Sequence, residues 1–282
     1  MRKRFCWWLT LLIIVPLAKP ALAKHDTEPG TLKFELYRDY LIVARGSVGP
    51  LKNLNFLVDT GASPTVLDRS LAQKLNLDEA PANISVLDGS VRAGQAVAPS
   101  LRFGPLQAAN QPVLVEDLSF FQKALPLRID AVIGLDVLGQ TPFEIDYRSR
   151  EIHFGSYPQL KNSLPFEIKA GLPIVNADLN HIPLHLLVDT GASSLILFGP
   201  STPSSVLPMR VSAVNTIGET EKRQVWLQGL RLGETQFGQE PAFMVRSRAD
   251  GRNEFDGLMS PAALGITKIA MDCEHGKLSF SR

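Results

Sequence analysis

Disulfide chemistry has almost no material in this chain, because its 282 residues contain two cysteines, Cys6 and Cys273. Cys6 lies in a leader expected to be removed, so one thiol remains and no intramolecular disulfide can close. Stability must then come from packing, and Cys273 has no evident His partner for thiol catalysis. Tryptophan is equally scarce: Trp7 and Trp8 belong to the leader, and Trp226 alone makes no stacking platform. Charge of one sign is missing as well. The 29 Lys and Arg balance 28 Asp and Glu to a net +1, which excludes a nucleic-acid partner. No Gly-Lys-Ser/Thr follows the Gly turns, so there is no phosphate loop. His181 and His185 are four apart with Pro183 between them, which argues against a zinc-binding helix face, and no metal is expected. Helical periodicity is rare. Its best instance is Leu67, Leu71 and Leu75, which predicts a helix over residues 68–75.

What the chain does have is 45% apolar residues with 20% charged, a composition that folds, at a length that suggests two compact units. Its 21 glycines and 20 prolines are spread along it, so turns are many and elements short. Apolar stretches such as 40–44, 54–58, 113–115, 174–177 and 184–188 read as strands, and the expected class is all-β.

Residues 1–23 read as a secretory signal peptide. Arg2, Lys3 and Arg4 precede an apolar stretch from Phe5 to Ala18, and Ala21-Leu22-Ala23 supplies a small-residue cleavage pattern. Pro16 interrupts the stretch, which is shorter than the roughly 20 residues of a spanning helix. Export to a periplasmic or extracellular location follows, with a mature net charge of −3.

A long internal repeat organises the rest. Residues 56–63, Phe-Leu-Val-Asp-Thr-Gly-Ala-Ser, recur as residues 186–193, Leu-Leu-Val-Asp-Thr-Gly-Ala-Ser, at an offset of 130. Residues 101–104 match 230–233 at an offset of 129, and residues 143–154 align with 269–280 at an offset of 126. This period is far above the roughly 20–50 residues of solenoids and propellers, so whole lobes are repeated. The expected lobes are residues 32–154 and 164–282, joined by a linker at 155–163, with residues 24–30 frayed.

Each copy drives an apolar strand into Asp-Thr-Gly, a turn that Gly makes possible. One such site is an ordinary turn device. Two, at equivalent positions of duplicated lobes, can bring Asp59 and Asp189 face to face. Two carboxyls within about 3 Å of each other cannot both ionise cheaply, so the pair holds one proton over an interval of pH. The ionised member can then deprotonate a water while the protonated member donates to a peptide carbonyl. No cofactor is needed for that chemistry.

The paired motif resembles the family A aspartic peptidases: two lobes on one chain as in pepsins, with lobes of retropepsin size and style. The resemblance covers nearly the whole mature chain. It implies two β-barrel lobes with a cleft between them, a peptide or protein substrate and an endopeptidase activity. It makes Asp59 and Asp189 catalytic, and Thr60, Gly61, Thr190 and Gly191 the supports of the dyad. It places Ala62, Ser63, Ala192 and Ser193 along the substrate. The family's apolar-apolar-Gly segment behind the catalytic turn fits residues 130–135, Asp-Ala-Val-Ile-Gly-Leu. In the second lobe Ser260 stands where Gly134 stands in the first, and a positive φ there would be strained.

Flap hairpins are expected at 86–91, with Asp88 and Gly89 at the tip, and near Gly218 in 216–219. Ala62 and Ala192 replace the hydroxyl residue that pepsins place beside the dyad. Without that hydrogen bond the carboxyl pKa values should lie higher, so activity is expected in mildly acidic to near-neutral medium. Both half-sites lie on one chain, and a monomer is expected. The alternative reading is a secreted peptide-binding module that keeps the cleft without hydrolysis.

Overall fold

The structure, a computed structural model, describes residues 29–86, 89–155, 160–198, 206–209, 222–245 and 255–282, together with the backbone of 13–14. These residues are mostly β-strand. Among them are two short α-helices, Arg69–Lys74 and Leu135–Leu138, and one 3-10 helix, Leu118–Lys123.

Three antiparallel strands, Gly30–Tyr37, Leu41–Val48 and Leu51–Val58, open the described chain. Ala131–Ile133 adds to the third in parallel, with Ile133 opposite Val58, and pairs antiparallel with Val66–Asp68. Val66–Asp68 in turn runs parallel to Leu106–Glu116. The same order of pairings recurs further on. Asn162–Lys169, Leu172–Leu179 and Ile182–Val188 form an antiparallel set. Gly257–Met259 joins the last of them in parallel, with Met259 opposite Val188, and pairs antiparallel with Leu195–Phe198, which runs parallel to Gln239–Val245.

This arrangement explains the uninterrupted apolar triplet before each Asp. Successive strand residues point to opposite faces, and both faces here are covered. Phe56 and Val58 enter the main hydrophobic core while Leu57 enters a smaller one against Val132 and Leu114. Leu186 and Val188 join the main core, and Leu187 packs in a third cluster with Leu258. Each such side chain, fully buried, contributes about 1.5–3 kcal/mol. Stacked Phe56 and Phe103, with Phe154 edge-on, fill one end of the core, and Phe237 stacks on Phe280 elsewhere.

A further sheet ties the chain ends together. Phe143–Asp146 lies between Glu151–Phe154 and Lys268–Asp272, with Ile145 opposite Ile269. Gly30–Tyr37 continues it beyond Glu151–Phe154, and Lys277–Ser281 followed by Asn162–Lys169 continues it on the other side. Lys268 Nζ lies 2.7 Å from Asp146 and 3.4 Å from the buried Glu144, joining its two central strands.

Several expectations change in detail. Gly30, expected to fray, begins a strand, and Asn162 and Ser163, expected in the linker, pair with Phe280 and Ser279. Backbone hydrogen bonding thus reaches into both segments. The helix read over 68–75 spans Arg69–Lys74, with Asp68 as N-cap accepting from Ser70 N. The strand Gly89–Phe103, 15 residues long, exceeds anything the local pattern indicates. The match between 101–104 and 230–233 has a backbone cause: Gly104 and Gly233 both turn at positive φ, 58° and 55°. Asp88, Gly218 and the 216–219 segment lie outside the described residues.

Candidate active site

Asp59 and Asp189 follow directly on the two buried strand ends and are 2% and 1% exposed. Each is pulled onto the parallel strand behind it: Asp59 N donates to Ile133 O at 3.1 Å, and Asp189 N to Met259 O at 3.0 Å. Gly61 N and Gly191 N each donate back to the Asp two residues earlier at 2.8 Å, and Ala192 N also reaches Asp189 at 2.9 Å.

The two turns are bound to each other. Thr60 N donates to Thr190 Oγ1 at 3.0 Å and Thr190 N to Thr60 Oγ1 at 3.1 Å. The hydroxyls donate across as well, Thr60 Oγ1 to Val188 O at 2.7 Å and Thr190 Oγ1 to Val58 O at 3.2 Å. The backbone N–H and the hydroxyl of both buried threonines are thus used across the junction.

This brace brings the Asp59 and Asp189 carboxyls into hydrogen-bond contact. Burial first, then the facing charge and the shared hydrogen bond, hold Asp59 well above the ordinary carboxylate range. Asp189 is raised by burial too. A pair so placed holds one proton where separate carboxyls would have lost theirs. Tyr147, in the turn after the strand Phe143–Asp146, is raised by burial and then by the Asp189 charge, and its buried hydroxyl has no hydrogen-bond partner among the described residues.

Ala62 and Ala192 are fully buried beside the pair. Ser63 is half-buried, and Ser193 Oγ is buried with no partner among the described residues. The backbone of Ile13–Ile14 runs parallel to Ala62–Ser63, and Ile14 pairs with Ser85 on the other side. Ser85 belongs to the strand Ala80–Val86, which forms a hairpin with Gly89–Phe103, Val86 opposite Gly89. The hairpin found here pairs residues 80–86 with 89–95 and so begins earlier in the chain than the 86–91 expected; Val86 opposite Gly89 is its last pair, and the backbone of Ile13–Ile14 lies between its first strand and Ala62–Ser63. Among the described residues no three His, Cys, Asp or Glu side chains cluster as a metal site.

The expectation for Gly134 is corrected: its φ is −96°, so the constraint is space rather than a left-handed backbone. A Cβ there would stand 2.5 Å from Ala62 O. Ser260 uses the corresponding place, its Oγ donating to Ala192 O at 2.7 Å. The sequence reading passed over Asp136, which accepts from Thr65 and Gln111 behind the Asp59 turn. Its one signal was an acidic residue inside the apolar run 131–138.

Residues 44–137, about a third of the chain, match the model of a family described as aspartyl protease. The match includes Asp59 and Asp136 and supports a peptidase of that class. A search of the curated proteins finds no match.

Proposed function

We propose that the protein is an exported aspartic endopeptidase of two homologous lobes, residues 32–154 and 164–282, acting as a monomer on peptide or protein substrates. The observation that carries this reading is the hydrogen-bonded carboxyl pair of Asp59 and Asp189, set on matching strand ends and locked by Thr60 and Thr190. The family match over residues 44–137 agrees with it.

In this reading the ionised member of the pair takes a proton from a water whose oxygen bonds to the scissile carbonyl carbon. The protonated member gives its proton to the carbonyl oxygen, yielding a tetrahedral diol. Collapse breaks the C–N bond as a carboxyl proton passes to the leaving nitrogen, and the pair returns to its single-proton state. The extended pairing of Ile13–Ile14 between Ser63 and Ser85 supports a substrate held as an added strand through main-chain hydrogen bonds.

The test is mass-spectrometric cleavage mapping of a diverse peptide library from about pH 3 to pH 8, a range that spans a raised carboxyl pair. Asp59→Asn and Asp189→Asn run beside the parent, with the full chain beside residues 24–282. Cleavage that either substitution abolishes is the expected result, strongest in mildly acidic to near-neutral medium. The shortened chain, free of the segment seated beside Ser63, should cleave faster. A folded protein that binds peptides and cleaves none at any pH would establish the binding module instead.

A further inference from the structure

Among the described residues the Asp59 turn has a support with no counterpart at the Asp189 turn. Asp136 accepts Thr65 N at 3.0 Å on both oxygens, Thr65 Oγ1 at 2.8 Å on Oδ1 and Gln111 Nε2 at 2.8 Å on Oδ2. Thr65 Oγ1 accepts from Gly134 N at 3.0 Å, and Thr65 O accepts from Leu114 N at 2.9 Å. The loop from Asp59 to Thr65 is thus tied at both ends to residues 133–136, at its start through Ile133 O and at its finish through Asp136. At the repeat offset of 126, Ala262 stands in place of Asp136. There the Ser260 hydroxyl makes the local link instead, accepting from Ala263 N and donating to Ala192 O.

We propose that Asp136 is a positioning residue, whose ionised carboxylate fixes the Asp59 turn through Thr65 and so sets the geometry of the Asp59–Asp189 pair from one side only. The proposal rests on the reading of that pair as the catalytic dyad. Its physical basis is that every side-chain partner of Asp136 donates, so only an acceptor with no proton of its own satisfies them all. A proton on either oxygen, or the NH2 of an asparagine, would face a donor and release part of the loop.

The side chains that face Asp136 from the elements packed against it, Thr65 and Gln111, are neutral. The titratable groups on those elements are Asp59 at the turn and Glu116 at the far end of the Leu106–Glu116 strand, where Arg69 lies 4.0 Å away. Cys273, near Gly139 at the end of the Leu135–Leu138 helix, is pushed up to about 12 by burial and stays neutral. Burial pushes Asp136 up to about 6 against the hydrogen bonds from Thr65. Its support is therefore withdrawn within the working range of the pair.

Asp136→Asn and Gln111→Ala test this in residues 24–282 and in the full chain side by side, with two readouts. The first is kcat, KM and the pH profile on one library peptide that the parent cleaves. Asp136→Asn should lower kcat about tenfold or more with KM little changed, as expected of a displaced reacting group. It should also remove from the pH profile the contribution of Asp136, which burial pushes up to about 6, leaving that of Asp189, pushed up to about 6 as well. Gln111→Ala removes a bond to the charged form, so the Asp136 contribution should move to higher pH. The second readout is a carbon-13 carboxyl titration of the Asp59–Asp189 pair, which needs no turnover. Its midpoints should shift in both variants. Parent-like profiles and pair titrations in the variants overturn the proposal. A parent that cleaves nothing overturns the catalytic reading, and the pair titration then still decides the Asp136 link. Should Asp136→Asn fail to fold, Gln111→Ala decides by the direction of its shift.

Discussion

Gly61 lies so close to Asp189 that a Cβ on it would stand 2.7 Å from the carboxyl carbon, and Gly191 stands in the same relation to Asp59. Each turn's glycine is the floor on which the other turn's carboxyl rests. Its conformational freedom is secondary, because the contact admits no side chain at all. Gly61→Ala should therefore push Asp189 aside, lowering kcat by about a hundredfold for a displacement near 1 Å. The strain should cost about 1–3 kcal/mol of stability. Steady-state kinetics with a denaturant midpoint checks both, and an alanine variant with parent-like kcat would show that the carboxyls tolerate separation.

Thr60→Val keeps the shape and removes the hydroxyl, stranding Thr190 N–H and Val188 C=O in the interior. The expected loss is about 1–3 kcal/mol for each buried group left unpaired. Thr60→Ser restores the hydroxyl and should recover most of it. Urea unfolding of the three proteins decides this: equal midpoints for Val and Ser would mean that the cross-brace contributes nothing measurable.

Gly134→Ala and Ser260→Ala should both destabilise, for different reasons and to different degrees. Gly134→Ala drives a methyl group to 2.5 Å from Ala62 O, so the turn must shift, at about 1–3 kcal/mol. Ser260→Ala only removes the bonds to Ala192 O and from Ala263 N, at about 1 kcal/mol. Thermal unfolding of both variants measures the difference, and a harmless Gly134→Ala would contradict the packing read here.

The buried carboxyls give stability a definite slope with pH. Asp59, Asp136 and Asp189 are all raised, so the folded chain holds their protons more tightly than the unfolded chain does. Their contribution is fully present below the ordinary value of 3.8 and is lost as pH rises through the folded values, about 6 for Asp136. Asp189→Asn has no such proton to lose. Relative to the parent it should gain several degrees of Tm at about pH 8 and little or nothing near pH 4. Taking the difference between the two proteins cancels the other carboxylates. An equal gain at both pH values would mean that charge is not what the substitution relieves.

The strands before Asp59 and Asp189, the paired turns and the helix capped by Asp68 were legible in the chain, because each depends on local pattern: three apolar residues, a Gly at the turn, leucines four apart. The sequence repeat was legible for the same reason, as repeated wording. Long pairing was not. The strand Gly89–Phe103 includes Gly94 and Pro99, residues that argue against a strand locally, and it persists because Leu106–Glu116 pairs along most of its length.

Sequence alone established which residue types stand at the two turns, since Asp-Thr-Gly after an apolar strand carries its geometry in its own backbone. Three things depended on contacts between residues about 70 to 130 positions apart: the exchange of hydrogen bonds between Thr60 and Thr190, the exclusion of side chains at Gly61 and Gly191, and the anchoring of Thr65 by Asp136. No periodicity encodes such contacts. They exist only once the strands of both copies have packed and closed the distance between the two turns.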